Sequence, residues 1–246
     1  MTLLETTALS RRFGGVHAVD DVSFQVPAGE VRAIIGPNGA GKTTLVSMIS
    51  GRIAPSAGRV LFKGRDVTNL SNWRRVRSGI VYTFQITSIF QNLSCRENVT
   101  LAAQQPLMRG LAGRLRVDRR MLRERVEAGL ARVGLSARGD ELAANLPYGH
   151  QRQLEVAMGL ALSPELLIMD EPTQGLSDTE IVDFCALTRE IARDTTVLLI
   201  EHNMQVVMEL ADRITVMSDG RILAEGAPDE IRANAEVRKA YLGGQC

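Results

Sequence analysis

The chain has 246 residues, of which 45% are hydrophobic and 23% charged, and this balance suits one large α/β domain or two small ones with a real core. The net charge of +1 excludes a general attraction to nucleic acid, and no apolar run reaches the roughly 18 residues that a membrane-spanning helix needs. The three cysteines are far apart, which excludes a disulfide framework or a metal-binding spacing and favours a reducing cytoplasmic compartment.

Short β-type segments come first in the chain. Apolar runs bounded by glycine and proline predict strands at Val22–Val26, Val31–Ile35, Arg59–Phe62 and Gly79–Phe84. The first part of the chain therefore combines antiparallel-type strands with one strand–loop–helix unit at Val31–Gly51.

A helical region follows. Ser94 and Glu97 form a capping box, which predicts a helix that continues to about Gln104. Apolar residues at helical spacing predict a second helix over Arg119–Val133 and a third over Gly149–Leu162.

The last third alternates strands and helices. The predicted strands are Leu166–Met169, Thr196–Ile200, Ile214–Met217 and Ile222–Ala224. A second capping box, Ser177 with Glu180, predicts a helix to about Arg193, a further helix covers Asn203–Ala211, and a short helix ends the chain. Buried strands that alternate with helices indicate an α/β core with a mostly parallel sheet.

Residues 36–43 read GPNGAGKT and match the phosphate-binding pattern G-x-x-x-x-G-K-[ST] between a strand and a helix. Gly36, Gly39 and Gly41 let the backbone turn so that several N–H groups point into one concavity. Lys42 reaches the β- and γ-phosphates, and the Thr43 hydroxyl ligates Mg²⁺. The alternative is a chance glycine-rich turn before a helix.

The strand at 166–169 ends in two acids. Carboxylates at the carboxyl end of a strand face the crevice in which ligands bind. We expect Asp170 to hold Mg²⁺ through water and Glu171 to polarise the attacking water. The alternative is that this Asp-Glu pair only caps a helix.

With these motifs in place, the chain resembles the ATP-binding subunit of an ABC transporter over essentially its whole length. The resemblance implies a P-loop NTPase core, an N-terminal antiparallel β subdomain and a helical signature subdomain within one domain, 1–246. The core and β subdomain would take about 1–85 and 163–246, and the helical subdomain about 86–162.

Further residues take their expected roles from the resemblance. Phe13 is placed like the aromatic residue that stacks on adenine, and the alternative is a core Phe. Gln85 is placed like the glutamine that senses Mg²⁺ and the membrane subunit, and the alternative is a surface Gln. His202 matches the histidine that contacts the γ-phosphate and the attacking water, although a lone His is more often structural.

The segment LPYGHQRQ at 146–153 resembles the family's signature sequence, and QGLS at 174–177 its dimer-contact loop. Pro147 stands where the family usually has Ser, and Pro is suited to the first turn of a helix. Ser177 stands where the family often has Asp. The implied nucleotide contacts are Phe13, Gly36, Pro37, Asn38, Gly39, Ala40, Gly41, Lys42, Thr43, Thr44, Leu146, Tyr148, Gly149 and His150.

The resemblance implies that ATP and Mg²⁺ are the cofactors, with Thr43, Gln85 and Asp170 on the metal and Glu171, His202 and Gln85 in catalysis. Two cassettes would close head to tail on two ATP molecules, each signature helix completing the partner's site. Hydrolysis would reopen them and drive the membrane subunits.

The segments RRFGGVHAVDDVSF, LPYG and VRKAYLGG most resemble the longer ATPase subunit of branched-chain amino-acid importers, whose relatives also import urea, short amides or aromatic acids. The implied partners are a second ATPase subunit, different or identical, two permease subunits and, indirectly, an extracytoplasmic solute-binding protein. The expected location is peripheral, on the cytoplasmic face of the inner membrane, and the start MTLLETTALS shows no secretion signal.

Three alternatives remain: a lipopolysaccharide-export ATPase, a non-transport cassette, and a regulatory module that does not hydrolyse ATP. The arginine-rich stretch Arg109–Arg125 is either a solvated helix face or a contact with lipid headgroups or the membrane subunit.

Overall fold

The structure of the chain is a computed structural model that describes residues 1–83, 88–107 and 118–242. The strands, in chain order, are β1 (Thr2–Phe13), β2 (Val16–Pro27), β3 (Val31–Ile35), β4 (Ala57–Phe62), β5 (Arg65–Asp66), β6 (Ile80–Thr83), β7 (Leu166–Asp170), β8 (Thr196–Ile200), β9 (Arg213–Ser218) and β10 (Arg221–Gly226). The helices are α1 (Lys42–Ile49), α2 (Asn72–Ser78), α3 (Cys95–Leu107), α4 (Arg119–Arg132), α5 (Tyr148–Ala161), α6 (Asp178–Ala192), α7 (Met204–Leu210), α8 (Pro228–Ala233) and α9 (Ala235–Leu242).

The strands form two sheets. One is antiparallel, in the order β2-β1-β4-β5, and the other has six strands in the order β10-β9-β3-β8-β7-β6. In the larger sheet every neighbouring pair is parallel except β10 and β9. The predicted α/β fold with a mostly parallel sheet and an N-terminal antiparallel sheet is confirmed.

Both faces of the six-stranded sheet are covered, because successive side chains of a strand point to opposite sides. Ile168 and Leu198 pack with helix α1 and the antiparallel sheet in one apolar cluster. Leu167 and Leu199 belong to a second cluster with helices α3 to α6. All residues of β3, β7 and β8 are buried. The carboxyl ends of these strands therefore extend from a fully buried part of the sheet.

Most predicted elements are present with small shifts at their ends, and β3 and β8 have the predicted bounds, but β2 begins at Val16 and not at the predicted Val22. The capping box of Ser177 and Glu180 is formed. Strands β1 and β5 and helix α2 were not predicted, because their polar residues hide the apolar pattern. The predicted short terminal helix is present as α9, and a further short helix, α8, precedes it.

Helices α3, α4 and α5 share one buried cluster, which matches the predicted helical subdomain, but its bounds stay a prediction. Among the described residues, no helix is both long and apolar enough to cross a membrane. Most of the arginine-rich stretch lies outside the described residues. Its described end, 118–125, includes Asp118, which caps α4, and exposed Arg120, which pairs with Glu124.

Candidate functional site

The phosphate loop leaves β3 at Ile35 and enters α1 at Lys42. Gly41 has φ +96°, and a Cβ there would lie 2.2 Å from the carbonyl oxygen of Ala18. A Cβ on Gly36 would lie 2.2 Å from the carbonyl oxygen of Met217. Only glycine fits such close backbone approaches, so these two positions give the loop its shape.

Lys42 is held inside the loop. Its Nζ donates to the carbonyl oxygens of Gly36 at 2.8 Å and of Pro37 at 3.0 Å. Burial lowers the pKa of Lys42, and the charges of Glu171 and Asp170 oppose that shift. Among the described residues the ammonium forms no salt bridge, and the charges of Glu171 and Asp170 act on it without direct contact.

A cavity of about 210 Å³ opens over the loop. Its lining joins the loop to the carboxyl end of β7, because Glu171 contributes to the wall. The amino end of α1 points its free N–H groups toward this space, which favours an anion. The lining residues are Ala18, Asn38, Gly39, Ala40, Gly41, Lys42, Thr43, Thr44 and Glu171.

Asp170 is the last residue of β7 and is buried. Its Oδ2 accepts a hydrogen bond from the Tyr82 hydroxyl at 2.6 Å, while its buried Oδ1 has no partner among the described residues. Burial raises the pKa of Asp170, and the Tyr82 bond opposes the shift. A buried carboxylate oxygen without a hydrogen-bond partner is available as a ligand. Mg²⁺ prefers oxygen ligands, so the Asp170 carboxylate and the Thr43 hydroxyl fit that ion.

Glu171 follows in a left-handed backbone conformation, with φ +48°. Its N–H donates to the carbonyl oxygen of Ile200 at 2.8 Å, which ties the end of β7 to the end of β8. A non-glycine residue at such a φ marks a strained position of the kind found at functional sites. The alternative that Asp170 and Glu171 cap a helix is wrong, because Ser177 caps α6.

His202 lies beside Glu171. The distance from His202 Nδ1 to Glu171 Oε2 is 4.0 Å, and the His202 side chain is 59% exposed. The alternative of a buried structural histidine therefore does not fit. His202 Nδ1 also lies 4.0 Å from Oε2 of Glu201, a fully buried carboxylate to which the sequence pattern assigned no role. The sequence signal that could have identified Glu201 is its position immediately before His202.

Phe13 ends β1 with its side chain 46% exposed, so it is not a core Phe. The guanidinium of Arg11 lies 4.6 Å from the centre of the Phe13 ring and covers part of it. Phe13 does not line the cavity of the described residues, although a flat exposed ring can stack on a base. Gln85 lies outside the described residues, so its predicted role is untouched by the structure.

The signature segment lies elsewhere. Leu146 is buried, Pro147 occupies the N-cap of α5 with φ −53°, and Tyr148 is the first helical residue. The prediction that a helix can still start at Pro147 is confirmed, since the Pro147 carbonyl oxygen accepts the first helical hydrogen bond, from the N–H of Gln151. Among the described residues none of 146–150 lines the phosphate-loop cavity. This separation fits a segment that serves a partner's site.

Two glycine contacts join the signature segment to the first turn of α6 and to the loop that precedes it. Tyr148 lies so close to Gly175 that a Cβ there would be 3.2 Å from the ring, and Gly175 has φ +80°. The Glu180 carboxylate lies against Gly149, where a Cβ would meet its oxygen at 2.3 Å. His150 Nδ1 is buried without a hydrogen-bond partner in the described part of the chain.

The chain belongs to the ABC transporter family, whose model matches residues 19–174. A second model, "Branched-chain amino acid ATP-binding cassette transporter", matches residues 221–246. The predictions of an ABC ATPase fold and of an ATP-hydrolysing cassette are confirmed at the level of the family.

Named relatives match over nearly the full length. The chain is 40% identical to the high-affinity branched-chain amino acid transport ATP-binding protein LivG of Salmonella typhimurium, covering 98% of both chains. It is 39% identical to BraF of Pseudomonas aeruginosa, which has the same description, again over 98% of both. A third relative is the lipopolysaccharide export system ATP-binding protein LptB of Acidithiobacillus ferridurans, at 35% identity over 99% of this chain and 98% of that one.

Solved structures give the same result. An ATP-binding cassette of an ABC transporter in its ADP conformation superposes with a TM-score of 0.87 at 31% identity, covering 99% of both chains. A dimeric bacterial ABC transporter cassette superposes with a TM-score of 0.78 at 22% identity over 92% of this chain and 99% of that one, which shows the shared fold.

Proposed function

We propose that this chain binds and hydrolyses ATP as the energising subunit of an importer for branched-chain or related amino acids. One observation carries the chemistry: the cavity over the phosphate loop is walled by Glu171, with His202 4.0 Å from that carboxylate. The loop can hold a triphosphate, and the carboxylate stands where an attacking water would enter.

In the proposed reaction, the loop N–H groups and the Lys42 ammonium bind the β- and γ-phosphates and offset the charge that develops on them. Mg²⁺, when bound, would neutralise further phosphate charge. Thr43 and Asp170 would hold that ion, together with Gln85, whose part follows from the resemblance alone. Tyr82 would keep the Asp170 carboxylate turned toward the site.

Glu171 would accept a hydrogen bond from the water and orient it at the γ-phosphorus, and ADP would leave on the opposite side. His202, whose side chain is exposed, would donate to a γ-phosphate oxygen. Phe13 would stack on the adenine. Water that attacks the γ-phosphorus breaks the bond to the β-phosphate oxygen, giving ADP and inorganic phosphate.

A second cassette would supply its signature segment to this site. Leu146, Tyr148, Gly149 and His150 of this chain would in turn close over the partner's nucleotide. The two permease subunits would couple the motion to transport, fed by an extracytoplasmic solute-binding protein, with the cassettes on the cytoplasmic membrane face. The sequence identities favour import over lipopolysaccharide export, because the amino-acid transport proteins LivG and BraF match this chain at 40% and 39% identity and LptB at 35%.

The test of ATP chemistry is Glu171→Gln beside the wild type. We expect the variant to bind Mg-ATP normally, to release phosphate at least about 100-fold more slowly and to accumulate as a closed dimer. Wild-type turnover in the variant would refute the role of Glu171. The test of the solute is uptake of radiolabelled leucine into vesicles that hold the chain with its co-purified membrane subunits, with glucose as control.

A further inference from the structure

Glu201 is a buried acid that the proposed reaction does not use. It follows the last residue of β8, and its side chain has no exposed surface. In the described part of the chain no lysine or arginine forms an ion pair with it. Burying an ionised carboxylate costs free energy unless hydrogen-bond donors of the protein replace its water. The donors that contact Glu201 therefore indicate its role.

Four donors surround the carboxylate, and they come from two loops. Oε1 accepts from the N–H of Thr173 at 3.0 Å and from its hydroxyl at 2.5 Å. Oε2 accepts from the N–H of His202 at 3.0 Å and from that of Asn203 at 3.2 Å. One side chain thus fastens the loop after β7 to the loop after β8.

The fastened loops carry the two groups that face the attacking water. Thr173 follows Glu171 by two residues, and His202 follows Glu201 directly. A second tie lies next to the first, since the Glu171 N–H donates to the carbonyl oxygen of Ile200 at 2.8 Å. These ties keep the positive φ of Glu171 and leave its carboxylate 4.0 Å from His202.

We infer that Glu201 is a positioning residue for ATP hydrolysis, which sets the distance between Glu171 and His202 by joining Thr173 to the backbone at 202–203. The inference rests on the proposed roles of Glu171 and His202. It needs a carboxylate, because all four contacts are donors and only an acceptor group satisfies them. It acts on the rate of the chemical step and leaves the phosphate loop unchanged.

A glutamine cannot replace this residue. If its amide oxygen takes the N–H groups of His202 and Asn203, its NH₂ group faces Thr173, whose hydroxyl can turn to accept but whose N–H then has no acceptor. In the opposite orientation, the NH₂ group faces two N–H groups. In either orientation one of the hydrogen bonds between the two loops is lost. A displacement of a catalytic group by about 1 Å is enough to slow a reaction by about 100-fold.

The experiment compares the full-length wild type with Glu201→Gln, Thr173→Val and Thr173→Ser. Thr173→Val removes one hydroxyl donor and keeps the N–H, whereas Thr173→Ser keeps both. The matched control is Thr188→Val, which removes an equally buried hydroxyl whose partner is the Phe184 carbonyl oxygen in α6. Phosphate release gives kcat and KM, and titration with Mg²⁺ and a non-hydrolysable ATP analogue gives the affinity.

We expect kcat to fall by about 10-fold or more in Glu201→Gln and by a few-fold in Thr173→Val, with analogue affinity within about 2-fold of wild type. Thr173→Ser and Thr188→Val should keep the wild-type kcat. A folded Glu201→Gln with unchanged kcat overturns the inference, as does an equal loss in Thr188→Val. If Glu201→Gln does not fold, Thr173→Val decides alone: a lower kcat supports the inference, and an unchanged kcat overturns it. A wild type that releases no phosphate when assayed with its partner cassette refutes the proposed function instead.

Discussion

The Tyr82 hydroxyl donates a 2.6 Å hydrogen bond to Oδ2 of Asp170, and this contact turns the other carboxylate oxygen, Oδ1, toward the site without a partner in the described chain. The two residues lie on adjacent parallel strands, where Tyr82 is opposite Ile168 and Asp170 is two residues further on. They therefore share one face of the sheet. The half-buried phenol is what orients the proposed metal carboxylate.

Tyr82→Phe should lower the apparent affinity for Mg²⁺ in ATP hydrolysis. The ring remains, including its contact with Arg52 at 4.8 Å, so only the hydroxyl is lost. The freed carboxylate can rotate, and we expect the Mg²⁺ concentration for half-maximal phosphate release to rise by about 3- to 10-fold. Activity measured against Mg²⁺ at fixed ATP checks this, with Asp170→Asn as the reference for complete loss. An unchanged Mg²⁺ dependence would show that Tyr82 only packs.

Asp170 should destabilise the ligand-free chain at neutral pH. Burial raises its pKa above the unfolded value of 3.8, so the folded state binds that proton more tightly. The contribution of Asp170 to the free energy of unfolding is fully present below pH 3.8 and is lost as the pH rises through the folded-state pKa. Asp170→Asn should therefore melt about 2 °C or more above wild type at pH 7.5 with EDTA, and the gap should close on acidification.

The control for this titration is Asp194→Asn. The hydrogen bond from Arg132 lowers the pKa of Asp194, so its contribution is present above pH 3.8 and is lost as the pH falls through the folded pKa. The control variant should melt at or below wild type at pH 7.5. Equal melting temperatures of wild type and Asp170→Asn at every pH would contradict the burial argument.

Lys42→Met should separate nucleotide binding from stability. Methionine keeps most of the side-chain volume but removes the ammonium, whose pKa is lowered by burial. We expect Mg-ATP affinity to fall by roughly 10- to 100-fold, while the ligand-free melting temperature stays equal or rises. Calorimetry and thermal melts check this. Lys63→Met, which removes an exposed ammonium paired with Glu165, should leave ATP affinity unchanged.

Gly41→Ala should disrupt the phosphate loop by a steric clash. Its control is Gly29→Ala, which has a similarly positive φ of +81° but open space around a Cβ. The control should cost about 1–2 kcal/mol of unfolding free energy from the backbone conformation alone. Gly41→Ala adds the 2.2 Å approach to the Ala18 carbonyl oxygen, so it should cost more and abolish ATP binding. Equal unfolding free energies in urea would argue against the clash.

The sequence by itself determined the phosphate loop, the acidic end of β7 and most strands, because each depends on neighbouring residues whose spacing and turn chemistry are visible in a short window. It missed β1, in which apolar pairs are separated by polar runs and give no period-2 pattern, and α2, which carries three arginines.

Only the tertiary structure decided which side chains meet. Tyr82 reaches Asp170 because β6 and β7 pair in one register, and a shift by one residue would turn the phenol to the other face. Glu201 meets Thr173 because β7 and β8 end side by side. Such contacts join residues far apart in the chain, and no local pattern specifies the strand order that brings them together.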